Sequence, residues 1–179
     1  MWEATTGWAM ARISRRRLLL GGGAAATALG SGAGVVGLAL SSPADGFRVL
    51  CAGEVAIVRA AAIAMFPGAP FPVDGLQARV AEEVDAILAD TLDTLRASGF
   101  RAVLEALEWG TVAGRGARFS RLDVATRRAV LDTWAEPELF TRRIAGDSVR
   151  AVLGMAYFAH PEVLAHMEWD GACTGGGAT

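Results

Sequence analysis

The stretch FRVLCAGEVAIVRAAAIAMF, Phe47 to Phe66, decides the class of fold. Apolar side chains recur at Leu50, Val55, Ile57, Val58, Ile63 and Phe66 within an alanine-rich run. Steps of three and four residues place such side chains on one helical face, and alanine is the strongest helix former. Pro67-Gly68 then stops the helix, because proline lacks an N–H and clashes with the preceding turn. The pattern predicts a helix over 47–66.

The chain outside this stretch repeats the helical period. Pro67, Pro70 and Pro72 predict an extended loop. A second helix is expected from Asp74 to Ala97, with Leu76, Val80, Val84, Ile87, Leu88, Leu92 and Leu95 on one face. Glu82, Glu83, Asp85, Asp90 and Asp93 fall largely on the other, which reads as a solvated face, and Gly99 is expected to end the helix. A third carries Phe100, Val103, Leu104 and Leu107, with Trp109 near its end, before Gly110, Gly114 and Gly116 loosen the chain. Ser120 stands where an N-cap belongs, ahead of Val124, Val130, Leu131 and Trp134. Pro137 suits the first turn of a helix through Leu139, Phe140, Ile144, Val149, Val152, Leu153 and Tyr157. Pro161 after His160 opens a last turn through Val163, Leu164 and Met167. With no β pattern and no repeat, the reading is all-α: a single domain of about five helices over 43–171, and a flexible glycine-rich tail over 172–179.

The first 42 residues differ in kind. Ser14-Arg15-Arg16-Arg17-Leu18-Leu19-Leu20 has the form of a twin-arginine export signal. The 23 positions from Leu18 to Leu40 carry no charge but include seven glycines and six alanines, so the stretch is only mildly apolar. A stable span needs about 20 strongly apolar residues. The weak apolarity therefore favours a signal for folded-protein export over a permanent anchor. Ala39-Leu40-Ser41 and Ser42-Pro43-Ala44 offer cleavage points, and Met10 is an alternative start. Retention of the leader as a membrane tether is the competing outcome.

Charge and chemistry bound the function classes. The 179 residues carry 17 basic and 19 acidic side chains, and every basic one is arginine. Without the leader's Arg12, Arg15, Arg16, Arg17 and Glu3, 13 arginines and 18 acids remain, a net of −5. Such a body argues against nucleic acid as a partner. No phosphate-binding glycine motif occurs, and Cys51 and Cys173 form no metal-ligand pattern. These two thiols are left with three outcomes: pairing with each other, pairing with another chain, or remaining free. His160 and His166, six residues apart across a proline, do not share a ligating face. Arg127-Arg128 and Arg142-Arg143 read as salt-bridged helix faces before an acidic-partner surface. Trp109 and Trp134 are expected in the core, while Trp169 is as well suited to an interface as to the core.

Several motifs in order resemble the gluconate 2-dehydrogenase subunit 3 family, the small subunits of membrane-associated flavoprotein dehydrogenases. They are Leu50, Glu54 and Ile63-Ala-Met-Phe66-Pro67; then Phe119, Leu122, Arg127 and Leu131; then Tyr157-Phe158-Ala-His-Pro161 and Trp169-Asp170-Gly171. The chain departs from that pattern at Met167-Glu168-Trp169, where related chains more often carry Ile-Gly-aromatic, and by adding Cys173 and a glycine tail. The resemblance implies a non-catalytic chain without a cofactor of its own. Its partner would be a large FAD-dependent oxidoreductase of the glucose–methanol–choline type, often with a multihaem cytochrome c. It also implies carriage of the folded flavoprotein through the twin-arginine translocase to the periplasm. Tyr157, Phe158, Trp169, Asp170, Gly171 and Cys173 are then the expected partner-facing residues. A stand-alone periplasmic helical enzyme or ligand-binding protein is the alternative from a different class.

Overall fold

The computed structural model describes residues 42–135 and 140–167, and all of its regular elements are helical. The leader signal (Ser14, Arg15, Arg16, Leu18, Leu19), Pro137, and Trp169, Asp170, Gly171 and Cys173 lie outside the described residues.

Helix α1, Ala52–Met65, is the centre of the fold. It packs against α2 (Val80–Asp90), α3 (Thr94–Gly110), α5 (Val124–Thr133) and a 3-10 turn at Phe119–Arg121. A helix touched on so many sides must be apolar nearly all round. Accordingly Val55, Ile57, Val58, Ala60, Ala61, Ala62 and Ala64 are all buried, the alanines letting neighbouring backbones come close. The helix starts later than the expected Phe47. Residues 48–50 instead present three successive N–H groups to one carboxylate, that of Asp85 on α2. Cys51 and Glu54 form a capping box, Glu54 Oε2 accepting the Cys51 N–H at 2.8 Å. Pro67 stops α1 as expected.

Three further expectations need correction. The helix expected over 74–97 is two helices, because Asp93 caps α3 by accepting the Arg96 N–H at 2.8 Å. Gly99, expected as a terminator, lies inside α3 with nothing within 4 Å of where its Cβ would stand. A Gly99→Ala variant should therefore be more stable by about 0.5–1 kcal/mol, read as a higher urea midpoint with unchanged slope. The cap of α5 is Asp123, not Ser120: its carboxylate accepts the Thr126 N–H at 2.9 Å and hydroxyl at 2.6 Å. The Thr126 hydroxyl, with its N–H adding, holds the Asp123 carboxyl below the usual carboxylate range. Ser120 is occupied elsewhere, giving its N–H and hydroxyl to Glu108 on α3 at 2.9 and 2.7 Å.

A short turn, α4 (Val112–Arg115), follows α3, and α6 (Phe140–Phe158) closes the core against α2 and α3. Its inner face is Val149, Val152, Leu153, Ala156 and Tyr157. His160 is the N-cap of α7 (Pro161–His166), with Pro161 in its first turn as expected. Among the described residues no helix is long and apolar enough to cross a membrane.

Candidate partner-binding surface

The loop after α1 and the end of α6 meet in a cluster of rings. Phe66, the C-cap residue just after α1, stacks on Tyr157 with centroids 4.0 Å apart and planes within 2°. Phe71 in the loop stands edge-on to Tyr157, Phe158 and His166, each at 5.7–5.8 Å. Edge-on and offset arrangements set the positive ring edge against the negative face, which adds to the area they bury. Two backbone ties hold the loop there. The Tyr157 hydroxyl donates to the Val73 carbonyl at 2.7 Å, and the Gly75 N–H donates to the Phe66 carbonyl at 2.9 Å. Burial, with the charge of Asp74 adding, pushes the Tyr157 hydroxyl above its usual range, so it remains a donor at neutral pH.

This places the expected interface residues differently from one another. Tyr157 is fully enclosed within the chain and supports the surface from beneath. Phe158, its neighbour, is 37% exposed at the rim, with half-buried Phe66 and Phe71 beside it. Met167, also exposed, follows α7 directly after His166.

Phe158 is also the end of a longer stripe. Phe140, Ile144, Ala151, Met155 and Phe158 lie within a narrow arc of the α6 helical wheel and are exposed along its length, a run of about 27 Å. Phe140 and Ile144, named in the sequence with Val149, Val152 and Leu153 as the apolar residues of this helix, look outward, on the arc opposite the buried Val149, Val152, Leu153 and Ala156. Asp147 and Ala151 interrupt the row, which leaves two exposed apolar pairs, Phe140 with Ile144 and Met155 with Phe158, about 16 Å apart along the helix. This is the kind of surface feature that another protein can cover.

The remaining candidates are accounted for locally. Trp134 is buried as expected. Trp109 is not: it is 48% exposed, its ring 4.0 Å under the Arg118 guanidinium and its Nε1–H donating to Glu105 at 3.0 Å. Arg127 and Arg142 bond to Ser120 and Thr133 oxygens, and no carboxylate bridges to Arg127, Arg128, Arg142 or Arg143 among the described residues. Cys51 has no disulfide among the described residues. His160 Nδ1 is buried without a hydrogen-bond partner there. The described residues hold no group of three or more metal-ligating side chains. The burial of three carboxylates was not legible in the sequence, although Glu54 is among the residues that carry the family resemblance. Asp85, placed on the solvated face, is buried; so are Glu54, paired with Arg101 at 2.7 Å, and Glu108. Each holds a loop to a helix through backbone donors.

The family model described as gluconate 2-dehydrogenase subunit 3 matches residues 52–175, from the start of α1 to beyond α7. The chain belongs to the gluconate 2-dehydrogenase subunit 3 family. No curated protein and no solved structure gives a significant match. The family name associates such a chain with a dehydrogenase complex.

Proposed function

We propose that this chain is the non-catalytic small subunit of a periplasmic flavoprotein dehydrogenase. It binds a large FAD-containing subunit of the glucose–methanol–choline type and carries it, folded, through the twin-arginine translocase. The exposed row Phe140, Ile144, Met155 and Phe158, on a member of a subunit family, carries this reading. The leader gives it direction: a flavoprotein acquires FAD in the cytoplasm, and the twin-arginine motif addresses a route that takes folded cargo. A multihaem cytochrome c is a further partner that the family resemblance implies for such assemblies.

Finding a leaderless FAD oxidoreductase in the neighbouring reading frame, and co-expressing it with this chain, tests it. The expected product is a yellow complex with flavin absorbance eluting with both chains. The double variant Met155→Glu/Phe158→Glu should weaken that complex at least ~30-fold, the size of one interface hot spot. Met155 is 56% exposed, so Met155→Glu alone should melt with the parent. The double variant also gives up the Phe158 ring contacts with Phe66, Phe71 and Tyr157 and should melt earlier, so binding is compared at equal folded fraction. Arg15→Lys/Arg16→Lys should leave both chains in the cytoplasm. A colourless monomer with its own activity would overturn the reading.

A further inference from the structure

The segment that joins the leader to α1 is closed on itself. The Ala44 N–H donates to the Leu50 carbonyl at 2.9 Å, and the Ala44 carbonyl accepts the Phe47 N–H, also at 2.9 Å. Residues 44–47 therefore form a β-turn, with Gly46 at φ 81° supplying the left-handed residue at its third position. Ala44 and Phe47 pack, partly buried, against the core, and Leu50 at the far end is fully enclosed. The Asp85 carboxylate holds residues 48–50 from the other side. Ser42 and Pro43, just ahead of this loop, are exposed and make no hydrogen bond among the described residues.

Two cleavage points stand in the sequence here, each with small residues one and three places before the bond. One is the bond after Ser41, behind Ala39-Leu40-Ser41; the other follows Ala44, behind Ser42-Pro43-Ala44. Their surroundings differ. A peptidase takes its substrate as an extended strand and polarises the carbonyl of the bond it cuts. At the second point that carbonyl is Ala44's own, already engaged by the Phe47 N–H. Ala44 and Asp45 would both have to leave the turn before they could lie extended. At the first point the residues that follow the bond are Ser42 and Pro43, which the fold leaves exposed.

We propose that the fold selects the processing site: a leader peptidase specific for small residues hydrolyses the Ser41–Ser42 bond, while the closed loop shields the Ala44–Asp45 bond. Water adds across the amide, leaving a carboxylate on Ser41 of the released leader and a free amine on Ser42 of the mature chain. The inference rests on the reading of the leader as a signal for folded export, since a chain exported unfolded would offer both bonds alike. Folded cargo meets the peptidase with the loop already closed. The second bond is then open only in the small fraction of molecules whose loop has come undone. Cutting after Ala44 would also remove both of its hydrogen bonds and the first residue of the turn, so the mature chain keeps this loop only when cleavage falls earlier.

The test expresses the full chain with the co-expressed flavoprotein and isolates the exported fraction. Intact mass and N-terminal sequencing then read the first residue of the small chain. The parent should begin at Ser42. Ser41→Phe removes the small residue before that bond and should leave the leader attached, with no more than roughly a tenth of chains beginning at Asp45. Ser41→Phe/Gly46→Val should instead begin at Asp45. A β-branched residue at φ 81° strains the turn open, while its Cβ has nothing within 4 Å to clash with. A parent or a Ser41→Phe chain that begins chiefly at Asp45 overturns the proposal, as does an exported parent that keeps its leader. So does a double variant that is exported folded and still uncut, because the turn is then not what shields the bond. Should the double variant fail to be exported, amide exchange on the parent decides. The Ala44 and Phe47 N–H groups should be protected at least ~10-fold over the unstructured chain, and absence of protection overturns the proposal. A precursor that never leaves the cytoplasm would instead remove the export reading, and this proposal with it.

Discussion

Replacing Asp85 with alanine is expected to lower folding stability by about 3–5 kcal/mol. Its Oδ1 accepts the N–H groups of Val49 and Leu50 at 2.9 and 2.8 Å, and its Oδ2 accepts that of Arg48 at 2.7 Å. These are three successive donors of an extended segment with no ladder or helix of its own. Asp85 is 4% exposed and Leu50 is fully buried, so water cannot replace the carboxylate at the inner end. A hydrogen bond to a charged group contributes about 1.5–3 kcal/mol, and bonds sharing one acceptor do not add fully, which sets the range. The adjacent Arg48–Asp90 fork, with both contacts at 2.7 Å, cannot compensate, because its side chains are more than half exposed. Asp85→Asn separates charge from shape. Its oxygen can still serve Val49 and Leu50, but its NH2 then faces the Arg48 N–H, so about 2–3 kcal/mol should be lost. Urea unfolding followed at 222 nm measures both. A loss below 1 kcal/mol for the alanine variant would show that the segment before α1 is not held by this clamp.

Asp85 also shows where the sequence was legible and where it was not. The helical class, the stop at Pro67 and the entry to α7 through Pro161 follow from local rules, since proline and alanine act through the backbone itself. Asp85 was read as solvated because it sits among Glu82 and Glu83. On the wheel of α2 it flanks Ala81 and Leu88 at the margin of the buried arc, and only tertiary structure brings residues 48–50 to it. Ser120 and Asp123 were both eligible caps. Glu108, a dozen residues upstream, took Ser120 and left the role to Asp123. Aspartate is a capping residue type, but the apolar stripe runs past Asp93 to Leu95, so the period carries one helix across the break; Leu95 is in fact 82% exposed. For the candidate surface, Phe158 is among the residues expected from sequence to face a partner, whereas Phe140 and Ile144 are not. Both arcs of α6 are apolar at its ends, and period alone cannot say which arc meets α2.

Gly75→Ala is expected to lower stability by about 2–4 kcal/mol, and it also tests the surface. A Cβ at position 75 would stand 2.6 Å from the Ala62 carbonyl oxygen, 2.7 Å from its carbon and 2.8 Å from the Ala62 Cβ. These atoms belong to the central helix, packed on several sides, so the loop has to give way. Retreat would stretch the 2.9 Å bond from the Gly75 N–H to the Phe66 carbonyl and draw the Val73 carbonyl away from the Tyr157 hydroxyl. Phe71 rides on the same loop, so its edge contacts with Phe158 and His166 loosen with it. The variant should therefore melt earlier and, where folded, bind the flavoprotein partner more weakly. Gly99→Ala changes a glycine with open space around it and should do neither. The comparison turns on the folded fraction. If Gly75→Ala is destabilised yet binds the partner with parental affinity, the aromatic end is a packing feature of this chain alone, and docking is confined to the rest of α6.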